Sequence, residues 1–356
     1  MNILFLCQGT ADDQSVKHRM IWPAEVLETR GHDCTVCTGV KQNIRGRNLR
    51  FVSPRHVLKS AQNKYDAVVM NRDGSPVARI AYSLTELRNT SLIFDFCDAL
   101  YTRQKVFETS IPNPTRIWFE WLVRNSDFVT TGSQSLAEYA CDLNFNVLYN
   151  PTPVNTDIFI PDSESPREYE NIVIGWMGSG PDHKPNLELL VEPLQQISKE
   201  FDITLRIVSA LSETVEDVFA ELEDMADIEY GFDEWRPIED IVAEMQTFDI
   251  AVCPLAGDDS YMTGKSSMKV LECLATKTPV VASNHGPYGN LIEHGETGLL
   301  ASNTEEWVNH ISELISQPNL RSRLANNGYQ AVMDNYTVEH HANRLETVIE
   351  SSISED

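Results

Sequence analysis

Residues 264–301, GKSSMKVLECLATKTPVVASNHGPYGNLIEHGETGLLA, read as turn, helix, strand, loop, helix and strand. Gly264, Lys265, Ser266 and Ser267 are expected to open a helix. Its first N–H groups lack intrahelical partners and its dipole is positive there, so this end suits a phosphate anion. Met268, Leu271 and Ala275 recur at helical spacing as a buried stripe, with Glu272 at its edge. A carboxylate in that position needs a partner. The helix is expected to stop at Lys277-Thr278-Pro279, before Val280-Val281-Ala282-Ser283, a short apolar strand of the kind buried in a parallel sheet.

Working outward, the same alternation fills the chain. Asn2-Ile3-Leu4-Phe5-Leu6-Cys7 is an apolar first strand, and the following residues turn into a helix that ends near Gly31. Strands are expected at 34–37, 66–70, 91–95, 128–131 and 146–149, with helices between them. Residues 150–170 are rich in Pro, Ser and acid and lack periodicity, as a linker does. Asn171 to Gly180 then restarts the pattern, with a strand running into the glycine turn Gly178-Ser179-Gly180. Two α/β, doubly wound, Rossmann-like domains follow from this order. Gly9 alone is no G-x-G-x-x-G fingerprint, so a dinucleotide site in the first domain is not expected.

The formal net charge of −25 argues against general nucleic-acid binding, which needs a basic surface. The 10 lysines and 18 arginines stand against 53 carboxylates, a balance that suits a halophilic protein or an acidic mesophilic one. Seven cysteines with only Cys34 and Cys37 close together complete no zinc site, and free thiols in a reducing cytoplasm are expected. No run approaches the ~20 apolar residues of a membrane span, and residues 1–5 begin a strand, not a signal peptide. The aromatic and Arg-bearing segment 114–124 fits core packing, or peripheral contact at the inner face of a membrane.

Glu272, followed in register by Ala275-Thr276-Lys277-Thr278-Pro279-Val280-Val281-Ala282-Ser283, resembles the C-terminal donor-binding motif of retaining glycosyltransferases of family 4. The family pattern is an acidic residue, seven residues, a second Glu, then Ala-x-Gly-x-Pro-Val-Val-Ala-Ser. The likeness covers nearly the whole chain. Gly264 replaces the first acid, as in a branch carrying Lys-Ser-Ser-x-Lys, and Trp176 stands where an Arg is usual. The resemblance implies the GT-B fold, two domains facing a cleft. These are 1–152 on the acceptor side, a linker at 153–170, a nucleotide-sugar domain at 171–334, and a helix at 335–356 returning to the first domain.

It also implies a nucleotide-diphosphate sugar as donor, a glycan or lipid-linked acceptor, and no further cofactor; the absence of a placed D-x-D motif adds no metal. Glu272 would hold the ribose, and Lys265, Ser266, Ser267 and Lys184 the diphosphate, with Gly178 and Ser179 allowing close approach and Gly264 preceding the helix. Trp235 would stack on the base or pack in the core. Asp95 and Asp98 resemble an acidic family segment and would align or deprotonate the acceptor, or cap the next helix. Ser15 and Arg19 would face the acceptor, or serve as a cap and a solvated cation. Lys265 has a bland reading as a solvated lysine, and Glu272 as an ion pair with Lys269. A non-catalytic nucleotide-sugar binder, or an epimerase or phosphorylase on the same scaffold, remains as an alternative.

Overall fold

The computed structural model describes residues 1–356 except 45–46, 54, 59–64, 73–75, 103–113, 162–170, 179–182, 211–212, 223–225, 233–235, 258–263 and 355–356. Met1–Pro153, Asp259–Ser266 and Thr337–Asp356 form one compact unit, and Val154–Asp258 with Ser267–Tyr336 the other. Gly264, Lys265 and Ser266 therefore group with the first unit, whereas the sequence reading puts them inside 171–334.

The first unit is built on β1 (Asn2–Cys7), β2 (Asp33–Cys37), β5 (Ala67–Asn71), β6 (Ser91–Phe96), β7 (Phe128–Thr131) and β8 (Val147–Tyr149), all parallel, in the order β2-β1-β5-β6-β7-β8. β5 and β6 are buried along their whole length, which their continuous apolar runs anticipate. Phe94, Phe96 and Phe119 pack on one face of this sheet. On the other, Ile3, Phe5 and Val69 meet Ala342, Leu345 and Ile349 of the C-terminal helix Val338–Ser354. Arg30 Nη1 and His32 Nε2 reach Glu346 of that helix at 2.5 and 2.7 Å. A separate antiparallel pair, β3 (Val40–Ile44) with β4 (Arg47–Phe51), had no counterpart in the sequence reading.

The second unit repeats the plan with β9 (Ile172–Met177), β10 (Ile203–Ala210), β11 (Asp227–Phe232), β12 (Ile250–Cys253), β13 (Val280–Ser283) and β14 (Leu299–Ala301). Their order is β11-β10-β9-β12-β13-β14, again parallel. The chain winds one way from β9 and returns to wind the other way from β12. The carboxyl ends of those two strands therefore flank the switch point where open α/β sheets bind ligands. Apolar residues from Leu187, Leu190 and Leu194, and from Trp307, Ile311 and Leu314, close one face of this sheet.

All seven cysteines are free, with Cys34 half-buried and Cys141 exposed. Within the 114–124 segment Phe119 is buried, while Arg79 lies 5.5 Å from the Trp118 ring centroid and 5.3 Å from that of Trp121. Among the described residues no helix is long and apolar enough to cross a membrane.

Candidate functional site

The first unit's candidates separate into a sealed group and an accessible one. The expected single helix after β1 is in fact three pieces: Gln14–Val16, a wide π turn over Lys17–Ile21, and Trp22–Thr29. Pro23 has no N–H for the ladder and its ring would crowd the carbonyl four residues back, so a wide turn ahead of it relieves the clash. That turn carries His18 and Arg19, both fully buried. Arg19 donates from Nε to Asp95 Oδ2 at 2.9 Å and from Nη2 to Asp95 Oδ1, while its Nη1 donates to Asn150 O at 2.8 Å and Thr152 Oγ1 at 3.1 Å. Thr130 Oγ1 and Asn71 Nδ2 donate to the remaining lone pairs of Asp95 at 2.7 and 2.8 Å.

Burial by itself would raise the Asp95 carboxyl, but the Arg19 charge and these hydrogen bonds hold it below the usual carboxylate range. Asp95 is 1% exposed. It is a tie between strand and helix, not a base for an acceptor, and Arg19 is neither solvated nor aimed at a ligand. Both corrections have one cause, a pairing across 76 residues of sequence.

Ser15 and Asp98 do meet, through a residue not singled out for the site. Arg72, at φ 59, sends Nη1 to Ser15 Oγ at 2.7 Å and Nη2 to Asp98 Oδ2 at 2.7 Å. Arg72 and Asp98 are each 23% exposed, so this cluster beyond β1, β5 and β6 reaches solvent.

The buried histidines make the unit sensitive to acid. Burial lowers His18 to about 4 and His341 to about 3, and their Nδ1 atoms lie 2.6 Å from Pro153 O and 3.0 Å from Pro151 O. A histidine lowered in the folded state stabilises above its unfolded value near 6.5, and that contribution drains away as pH falls below it. Going from pH 7 to pH 5 is expected to remove about 3–4 kcal/mol from the two together. Urea melts at the two pH values measure this, and an unchanged midpoint contradicts it.

In the second unit the helix expected to open at Gly264–Ser267 begins at Met268, not at Lys265, and ends at Ala275. Ser267 is its N-cap residue, but Ser267 Oγ donates to Pro287 O at 3.2 Å instead of capping. The first intrahelical donor is Leu271 N, to Ser267 O at 3.1 Å, so the first-turn N–H groups are those of Met268, Lys269 and Val270. At the other end Lys277 adopts φ 56, filling with lysine the left-handed position that glycine usually takes.

Glu272 is 4% exposed, and burial pushes its carboxyl up to about 8 against the lowering effect of Lys269. The Lys269 ammonium itself is turned toward β9: its Nζ lies 3.1 Å from His183 Nε2 and 4.7 Å from the Trp176 ring centroid. A Cβ on Gly178 would come within 2.5 Å of that Nζ and 2.7 Å of the Trp176 ring, so glycine is what lets the lysine lie there. Loops beyond the strands are tied to this corner. Leu255 N donates to Ser283 Oγ at 2.8 Å, Ala256 N to Asn186 Oδ1 at 2.7 Å, and His285 Nε2 to Leu255 O at 2.5 Å. The result is a carboxyl, an ammonium and an imidazole at the carboxyl edge of β9, β12 and β13.

Residues 171–317 match the family model of group 1 glycosyl transferases. Over 88 residues the chain is 34% identical to the lipopolysaccharide core biosynthesis mannosyltransferase LpcC of Rhizobium leguminosarum bv. viciae, covering 24% of this chain and 25% of that protein. The chain thus spans about a quarter of the length of the curated relatives it matches. Over its full length the fold is similar to a glycosyltransferase of Rickettsia africae, with TM-score 0.74 at 17% identity, covering 100% of this chain and 99% of that one. It is also similar to Anabaena HepE in complex with UDP-glucose, with TM-score 0.67 at 17% identity, covering 99% and 100%. The two six-stranded parallel-sheet domains match the GT-B fold of these structures.

Within residues 171–317, the structure places the expected Glu272 and Gly178 at the same corner of the sheet and brings Lys269, not Lys184, beside them. Lys184 is the first residue of the helix Lys184–Ile197, is 46% exposed, and has Glu188 4.0 Å away. Lys269, one turn before Glu272, is the lysine whose ammonium lies beside Gly178. Trp176, expected only as a replacement for Arg, is a buried ring beneath that lysine. Lys265 and Ser266 are half-buried and precede the N-cap, in the segment grouped with the first unit, as does Gly264. Ser179 and Trp235 lie outside the described residues. The repeated lysine of Lys-Ser-Ser-x-Lys was the one signal that could have pointed to Lys269.

Proposed function

We propose that the chain is a glycosyltransferase that moves a sugar from a nucleotide-diphosphate sugar to an acceptor hydroxyl with retention, in glycan, exopolysaccharide or glycolipid synthesis. The observation that carries this reading is Glu272, a buried carboxyl whose ionisation burial opposes, held at the switch-point edge of a parallel sheet. A carboxylate there would accept hydrogen bonds from a ligand's vicinal hydroxyls, as a ribose presents them.

In the reaction the bond between the sugar's anomeric carbon and the diphosphate breaks, and its electron pair stays on the phosphate oxygen. The acceptor oxygen bonds to that carbon and gives up its proton. Lys269, the N–H groups of Met268 to Val270, and Lys265 supply positive charge where the leaving group gains negative charge. Asp98, held by Arg72 and open to solvent, is the carboxylate proposed to orient an acceptor, and Ser15 shares the same arginine. With cations in this role no divalent metal is needed, and turnover is expected to survive a chelator.

A thermal-shift screen of UDP, GDP and their sugars, in low and molar salt, followed by transfer assays on the binders, tests the proposal. At least one nucleotide sugar should raise the melting temperature and be consumed only with an acceptor, and Lys265→Ala should lower turnover with the fold kept. No shift with any nucleotide contradicts the reading. Binding without turnover identifies a non-catalytic binder, and turnover that needs inorganic phosphate a phosphorylase.

A further inference from the structure

A cavity of about 280 Å³ opens in the first unit, at the edge of its sheet away from Arg72 and Asp98. It sits at the amino ends of the strands, where Ser91 opens β6 and Asn146 directly precedes β8, and Ser352 of the C-terminal helix closes it. What it offers a ligand follows from where its protons go. Thr85 Oγ1 donates to Tyr82 O at 2.7 Å, Thr90 Oγ1 to Tyr65 O at 3.1 Å and Ser352 Oγ to Ile349 O at 2.8 Å. A carbonyl has no proton to give, so each of these lining hydroxyls has spent its one proton and keeps only lone pairs. Ser91 Oγ turns to Asp127 Oδ2 at 3.5 Å, an oxygen that also accepts from Leu92 N at 2.7 Å. Asn146 Nδ2 donates to Asp127 O at 3.0 Å. Glu86 and Asp127 add two carboxylates to the wall, and among the described residues that line it there is no lysine or arginine. Burial raises the Tyr82 hydroxyl above its ordinary value and the Glu86 and Asp127 charges raise it further, so both carboxylates bear on one spot.

A wall of acceptors and negative charge is complemented by a molecule carrying N–H donors and positive charge. The space is many times what one water needs, and no group of three metal-ligating side chains occurs among the described residues, so a bare metal ion does not fit it. A neutral sugar would set lone pairs of its own against those of the wall and leave the carboxylates without a counter-charge. We infer that this cavity is a binding site for a small organic cation of the amine class, a diamine or polyamine, whose ammonium groups donate to Asp127, Glu86 and the hydroxyl oxygens. Such a ligand touches the starts of β6 and β7 and the C-terminal helix together, so its binding stabilises the first unit. The inference does not depend on the sugar-transfer reading, and the two stand or fall separately.

The test titrates the full chain with putrescine and with spermidine, by calorimetry and thermal shift, at an ionic strength held constant with sodium chloride. A chain of net charge −25 attracts every cation, so Glu305→Gln, an exposed acid of the second unit, is the control for lost charge alone. At least one amine should bind one-to-one and raise the melting temperature. Asp127→Asn and Glu86→Gln should each weaken it about five-fold or more, and Glu305→Gln by less than about two-fold. The asparagine keeps an oxygen for Leu92 N, and Glu86 is exposed, so both variants are expected to fold. Asn146→Lys, which sets a tethered ammonium in the cavity, should abolish the amine response. Binding that Asp127→Asn and Glu86→Gln both leave intact, or that Glu305→Gln weakens as much, overturns the inference and marks a general effect of charge. No response to either amine beyond that of sodium chloride at equal ionic strength overturns it as well. Circular dichroism melts identify any variant that fails to fold, and the comparison of Glu86→Gln with Glu305→Gln decides the matter in that case.

Discussion

Arg19→Ala is expected to destabilise the first domain by about 3–5 kcal/mol, the cost of leaving a buried carboxylate without its counter-charge. Asp95→Ala should cost a similar amount for the converse reason. Arg19 is 0% and Asp95 1% exposed, and neither can turn to water when its partner is lost. The pair ties the wide turn Lys17–Ile21 to β6, and Asn150 O and Thr152 Oγ1 extend the tie to the end of the first domain's chain segment. The double replacement Arg19→Met with Asp95→Leu removes both charges together, so its cost should fall well short of the sum of the singles. Urea denaturation of the two single variants and the double measures the coupling. Strictly additive losses, or singles within about 0.5 kcal/mol of the native chain, would show that the ion pair is not the tie described.

The second large effect has the opposite sign. Glu272→Gln should raise the stability of the unliganded protein while abolishing nucleotide binding. Burial holds the Glu272 carboxyl at about 8 in the folded state. A carboxyl raised on folding contributes stability below its unfolded value near 4.5, and that contribution is lost as pH rises toward 8. At pH 7 the shift corresponds to about 3 kcal/mol against the fold, which glutamine removes. The native protein should therefore lose stability between pH 5 and pH 8 relative to the Gln variant, and the two should converge near pH 4.5. A residue kept for packing alone would give no such gain, whereas a site that tolerates strain for its ligand would. Melting curves across that range, with UDP and GDP titrations at each pH, measure both halves. A Gln variant that is less stable at pH 7, or that binds nucleotide as well as the native chain, contradicts the role given to Glu272.

Much of the architecture was legible because parallel strands buried on both faces are written as unbroken apolar runs. Ala67-Val68-Val69-Met70 and Val280-Val281-Ala282 could hardly be anything else, and both are fully buried. The β3–β4 pair was not legible, since VKQNI and RNLRF carry neither an apolar run nor a clean alternation. The start of the Met268–Ala275 helix was misread by about three residues because Lys265-Ser266-Ser267 looks like a cap. Ser267 spends its hydroxyl on Pro287, 20 residues away, which no local pattern discloses.

The candidate site divides along the same line. Glu272 was visible as an acid at the edge of an apolar helical stripe, and Gly178 as a turn glycine after a strand. Lys269 was set aside as a local ion-pair partner for Glu272, because three-residue spacing on a helix makes that pairing the natural guess. Its contact with His183 spans 86 residues and depends on Gly178 lacking a side chain. Asp95 was mistaken for a catalytic acid for a related reason: its arginine lies 76 residues away, on a turn whose irregular winding the sequence does not announce. Residue types suggested the chemistry; which of them face a ligand was set by pairings at long range.

The central claim is that the corner formed by Lys269 and Glu272 receives a nucleoside diphosphate. A crystal structure of the native chain grown with the nucleoside diphosphate that gives the largest thermal shift tests it most directly. The account requires both ribose hydroxyls within about 3.0 Å of the Glu272 carboxylate and a phosphate oxygen on Lys269 Nζ. A nucleotide bound elsewhere, with Glu272 still enclosed and Lys269 still against His183, would contradict it.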